Sequence, residues 1–79
     1  MTPLNDMKLS SLIPGQHGTI HAIHAEHALH QRLNAMGFRI GKKIQLSRRA
    51  NFNGPLHVRI GATDIILRDI EAQRIQLAA

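Results

Sequence analysis

Histidine spacing is the feature of this sequence most suggestive of chemistry. His24, His27 and His30 stand three residues apart, and His21 lies one such step earlier. Successive helical residues turn by about 100°, so side chains at i and i+3 are neighbours. Two imidazoles placed this way could share a divalent transition metal, and zinc suits an all-nitrogen ligand set best. His21 joins the group only if the chain turns back just after it. A metal site needs several converging ligands, so Glu26 or a second copy of the chain would have to complete the shell. Two half-sites on symmetric copies make one tetrahedral site, which points to a metal-bridged homodimer. The competing reading is that these are surface polar residues and that no cofactor is required. With no thiolate and one nearby carboxylate, the set is poorly suited to holding ferrous iron tightly. His17 and His57 stand apart in the sequence and are expected as isolated surface residues.

Charge is the second feature. Ten Lys and Arg oppose five Asp and Glu, a formal net charge of +5 with neutral histidines. Such a balance suits an acidic partner: nucleic acid, anionic lipid or an acidic protein surface. Lys42 and Lys43 precede an alternating apolar run, and Arg48 and Arg49 follow it. These four are the candidate partner-binding residues. Contacts of this kind raise association rates and weaken with salt; otherwise the four are solvated surface charge. Arg68 stands beside Asp69 and near Glu71, which predicts a local ion pair.

Composition narrows the function further. Cysteine is absent, which excludes disulfides, thiolate metal sites and thiol redox chemistry. Trp and Tyr are also absent, and Phe38 and Phe52 are the two aromatics. Single-stranded nucleic acid is held largely by stacking on aromatic rings. A small basic barrel binding nucleic acid is therefore the alternative reading and not the favoured one. A groove for proline-rich peptides needs aromatic walls and fails on the same ground. No Ser, Cys or carboxylate pair sits in a recognisable catalytic arrangement, and a general base needs a shaped pocket. The reading is a binding module and not an enzyme. The start of the chain lacks the apolar core of a signal peptide, and no apolar run approaches the ~20 residues that span a bilayer. A soluble protein of the reducing cytoplasm is expected.

These residues must be positioned by short elements. The 79 residues suffice for a single domain, 1–79, with a thin core. Pro14-Gly15 marks an early turn, and Thr19 to His24 read as a strand. The clear helix runs from about Glu26 to Met36. Ala25, Leu29, Leu33 and Met36 form its apolar stripe, and Gly37 stands at the C-cap position. The stripe leaves His24, His27 and His30 on the solvent side. After Gly41 the pattern alternates. Ile44 and Leu46 form one strand, and Leu56, Val58 and Ile60 a second beyond the Asn53-Gly54-Pro55 turn. Ile65 and Leu67 form a third. Asp69 is placed to cap one helical turn through Ala72, and Ile75 and Leu77 form a last strand. The fold class is mainly β: a five-stranded, closed or nearly closed barrel with one inserted helix and a short helical turn.

Four blocks resemble the ferrous iron transport protein A (FeoA) family. They are Leu9 to Gly18, with its leucine pair before Pro14-Gly15; Arg32 to Gly41, the helix end and following turn; Ser47 to Ala50 with the loop through Gly54-Pro55; and Leu67 to Ile75. Their order and spacing span nearly the whole chain. Two departures stand out: Asn51 replaces a frequent proline, and the strand near Asp64 lacks a common aromatic. The resemblance implies an SH3-like barrel with an inserted helix. It also implies a cytoplasmic accessory or regulatory protein, docked on a membrane ferrous iron transporter that carries a GTP-binding domain and peripheral to the inner membrane through it. The family brings no catalytic residues.

Overall fold

The computed structural model describes residues 7–78. The alternating runs form antiparallel strands: β1 (Met7–Lys8), β2 (His17–Ile23), β3 (Lys43–Arg49), β4 (Leu56–Ile60), β5 (Thr63–Leu67) and β6 (Ile75–Ala78). A 3-10 turn, Leu9–Ser11, follows β1; helix α1 (His27–Ala35) joins β2 to β3; helix α2 (Asp69–Ala72) joins β5 to β6. The six strands make one sheet in the order β1-β6-β2-β3-β4-β5. The expected count of five is one short. The sixth strand is β1, a two-residue segment paired through Met7 with Leu77 and Lys8 with Gln76, too short for alternation to reveal. Among the described residues the ladder ends at β1 and β5.

The sheet curls around a core of Leu9, Leu12, Ile20, Leu33, Phe38, Ile44, Leu46, Leu56, Val58, Ile60, Leu67, Ala72, Ile75 and Leu77. Strands β3, β4 and β6 contribute alternate residues to it, as a sheet with one wet face requires, and β2 and β5 contribute Ile20 and Leu67. Helix α1 gives it one fully buried side chain, Leu33, while Leu29 and Met36 pack at its edge. The C-terminus of α1 closes as a Schellman motif: the Phe38 amide donates to the Leu33 carbonyl (3.0 Å) and the Gly37 amide to the Asn34 carbonyl (3.0 Å). Phe38 and Leu33, both buried, supply the apolar contact that accompanies this motif. Gly37 carries φ +101°, a conformation that costs an L side chain energy. The positive-φ residues of the β3–β4 loop are Phe52 and Asn53. Gly54 is needed for another reason, because a Cβ there would meet the Ala50 Cβ at 2.7 Å.

One irregularity decides which residues reach the surface. In β3, Leu46 pairs with Val58, but the next pair is Arg48 with His57, which leaves Ser47 as the extra residue of a bulge. Strict alternation from the buried Leu46 would turn Arg48 inward and Arg49 outward. The bulge reverses this. Arg48 lies in a row with His57 and Ile66, and Arg49 in a row with the buried Leu56 and Leu67.

Gly37→Ala tests the helix stop. No atom lies within 4 Å of the position a Cβ would take, so the cost is conformational alone. A loss of about 1 kcal/mol is expected in urea unfolding, with an unchanged m-value.

Candidate functional site

The two arginines at the end of β3 have different fates. Arg49 is half-buried and both terminal nitrogens of its guanidinium are engaged. Nη1 donates to Asp69 Oδ1 (3.2 Å), and Nη2 donates to the Ser10 carbonyl and lies 3.5 Å from that of Leu12. It therefore ties β3 to the 3-10 turn and to α2, and is unavailable to a partner. This corrects the expectation that Arg49 belongs with Lys42, Lys43 and Arg48 on a recognition surface. Those three remain exposed.

The acidic residues of α2 serve the same architecture. Asp69 is the first residue of the helix and does not cap it by a side-chain hydrogen bond; its second oxygen, Oδ2, accepts from Gln73 Nε2 at 2.7 Å. Glu71, buried at 6% exposure, accepts from the Arg68 amide (2.9 Å) and from the Arg32 guanidinium of α1. A buried carboxylate is tolerated when it is paired and hydrogen-bonded. The expected local pairing of Arg68 with Asp69 or Glu71 gives way to these long-range partners. Among the described residues no buried side-chain nitrogen or oxygen lacks a partner.

The outer face of the sheet carries the remaining pair. Arg59 of β4 holds Asp64 of β5 in a two-point contact, Nε to Oδ1 at 3.0 Å and Nη2 to Oδ2 at 3.1 Å. The hydrogen bonding by Arg59 holds the Asp64 carboxyl below the usual carboxylate range. Desolvation opposes this, and the positive charges of Arg59 and His57 add smaller contributions in the same downward direction.

The four candidate metal ligands are not gathered. His21 sits at the β2 bulge, between the pairs Ile20 with Leu77 and Ala22 with Gln76. His24 follows β2, with Nε2 at 2.8 Å from Gln76 Oε1. His27 and His30 share one turn of α1, both exposed. Among the described residues no three His, Cys, Asp or Glu side chains are grouped so as to hold one metal ion. The donor set of a single chain does not fit a closed zinc site, and His27 with His30 forms at most half of one.

The surface concavities are open. The groove between α1 and the turn after it, about 330 Å³, is lined by Ile23, His30, Asn34, Phe38, Arg39 and Ile40. Phe38 is sealed in the core and Phe52 is 99% exposed on the β3–β4 loop, so a paired aromatic platform for stacked bases is missing. No helix among the described residues is long and apolar enough to cross a membrane.

Fold and surface define a small, basic, mainly β module that presents faces rather than enclosing a substrate. The chain belongs to the FeoA domain family, whose model matches residues 7–79. It resembles the solution structure of iron(II) transport protein A from Clostridium thermocellum, at 36% identity and TM-score 0.86 over 91% of this chain. This chain spans 44% of that protein's length. FeoA from Chlorobium tepidum is 31% identical, with TM-score 0.82 over 92% of this chain and 71% of its own. Zinc-complexed FeoA from Stenotrophomonas maltophilia, described as an SH3 domain protein, is 29% identical with TM-score 0.78, covering 90% of this chain and 88% of its own. A manganese-dependent transcriptional repressor at 22% identity and TM-score 0.85, covering 92% of this chain and 41% of its own, shares the fold. No match was found among curated protein sequences.

Two measurements check this account. Arg49→Ala is expected to lower stability by about 2 kcal/mol in denaturant unfolding, because Asp69 and two carbonyls lose a charged donor. Arg48→Ala, one residue away on the wet face, should stay within about 0.5 kcal/mol of the parent. By NMR, the Asp64 carboxyl should titrate below ordinary aspartate, and Arg59→Gln should move its midpoint up. A carboxyl depressed in the fold contributes stability above its unfolded pKa and loses it as pH falls through the folded one; both groups are exposed, so the effect is read in the titration.

Proposed function

We propose that this protein is a non-enzymatic accessory factor of ferrous iron uptake. It works in the cytoplasm by docking on a membrane ferrous iron transporter through that transporter's GTP-binding domain. Family membership supports the pathway, since relatives of this fold are described as iron(II) transport protein A and as an iron uptake regulatory protein.

The observation that carries the docking reading is how the charges are distributed. Asp64, Asp69 and Glu71 are already paired with Arg59, Arg49 and Arg32. The excess positive charge is left on exposed side chains, and on the outer face of the sheet Arg48 and the 61%-exposed Ile66 share one cross-strand row with His57 between them. A row that joins an exposed cation to an exposed apolar residue suits an acidic protein face with an apolar centre. A zinc ion at His27 and His30 would need donors from a second copy, so metal-bridged pairing is a separate event from docking.

Calorimetry and co-elution with the purified cytoplasmic domain of the transporter test this. Binding is expected at low salt and should weaken as salt rises. Arg48→Glu and Ile66→Asp should each weaken it about tenfold. Absence of heat and of co-elution at low salt, with either nucleotide state, would overturn the proposal.

A further inference from the structure

We propose that the turn 39–43 is a contact site for an anionic lipid surface, with Ile40 entering the interface and Arg39, Lys42 and Lys43 meeting phosphate headgroups. Ile40 occupies the second position of a tight turn, closed by the Lys42 amide donating to the Arg39 carbonyl at 3.1 Å, with Gly41 at φ +93° in the third position. That geometry demands glycine at the third position and accepts most residues at the second. Nothing in the turn therefore calls for a large apolar side chain, yet Ile40 stands there 69% exposed.

The turn is also fixed in place. The Gly41 amide donates to the Ile20 carbonyl and the Ile20 amide to the Lys42 carbonyl, both at 2.8 Å. Ile40 thus projects from a tethered segment, and little ordering remains to be done on binding. Scattered apolar residues are ordinary on protein surfaces. Ile40 differs in its company. Arg39, Lys42 and Lys43 are exposed around it. Arg39 Nε bonds the neutral Asn34 Oδ1 at 2.9 Å, so its charge is not cancelled. The ion-paired carboxylates Asp64, Asp69 and Glu71 are held by Arg59, Arg49 and Arg32. A protruding aliphatic side chain set among cations matches the two forces that hold peripheral proteins on membranes: apolar insertion, and attraction to anionic headgroups. The open groove behind Ile40 has the half-buried Ile23 in its lining beside His30, Asn34 and Arg39.

This inference goes beyond the transporter reading and does not depend on it. Its test contains lipid alone: flotation of the full chain with vesicles of phosphatidylcholine, with and without phosphatidylglycerol, across a salt series. Flotation with the phosphatidylglycerol vesicles and not the neutral ones is expected, declining with salt. Lys42→Gln and Lys43→Gln should each reduce partitioning about fivefold, and Ile40→Gln about tenfold. Ile70→Gln, on α2 and equally apolar at 61% exposure, should leave it unchanged. All these positions are exposed, and circular dichroism verifies that each variant is folded. Failure to float with phosphatidylglycerol vesicles at low salt would overturn the proposal. So would loss on Ile70→Gln equal to that on Ile40→Gln, or charge variants that leave flotation untouched.

Discussion

The fold depends on one half-buried guanidinium. Arg49 leaves the end of β3, crosses beneath the chain and engages a carbonyl of the 3-10 turn and the carboxylate that opens α2. A chain this short has a thin apolar core, and Leu9, Leu12 and Ala72 belong to it. A charged donor ties the segments that carry them to β3, with its partners supplied by two segments distant in sequence. Arg fits this task because its planar fork presents several donors in fixed directions. A lysine would offer a single point charge to acceptors that lie in different directions.

The second tie has the same logic on the neighbouring helix. Glu71 is buried and bridges the Arg68 amide to Arg32 of α1. Helix α1 otherwise contributes only Leu33 to the deep core. The helix is thus held by one fully buried apolar side chain with Leu29 and Met36 at the core's edge, a glycine-terminated cap and a charged contact. This leaves its far face, with His27 and His30, in solvent. Asp69 and Glu71 are held within these contacts, whereas Asp64 is paired with Arg59 on the exposed outer face. The excess behind the chain's net charge of +5 lies on exposed lysines and arginines.

That allocation joins structure to function. The pairs Arg49–Asp69 and Arg32–Glu71 settle the geometry of a small domain, and with the exposed Arg59–Asp64 pair they occupy three carboxylates. What remains are exposed cations and single exposed apolar residues: Arg48 and Ile66 in one cross-strand row with His57 between them, and Arg39, Lys42 and Lys43 around Ile40 on the turn. Such surfaces associate through long-range attraction followed by local desolvation. They have no use for a cleft, in keeping with the open grooves of this protein.

Local pattern alone determined much of this protein. The alternation of Leu56, Val58 and Ile60, the stripe ending at Leu33 and the glycine at 37 are each read within a few residues, because side-chain period and cap chemistry are short-range. The family blocks rest on the same local features. The short strand β1 carried no such signal, because pairing with β6 makes it a strand. The fates of the consecutive arginines were likewise undecided in the sequence: a bulge at Ser47 turns Arg48 out and Arg49 in, and a bulge exists only relative to the strand opposite. The histidines looked like a cluster at a spacing of three, but β2, the following loop and α1 present them from different backbones. Periodicity is a property of the chain, whereas register, ion-pair partners and ligand convergence belong to segments brought together from afar, and the tertiary structure alone brings them together.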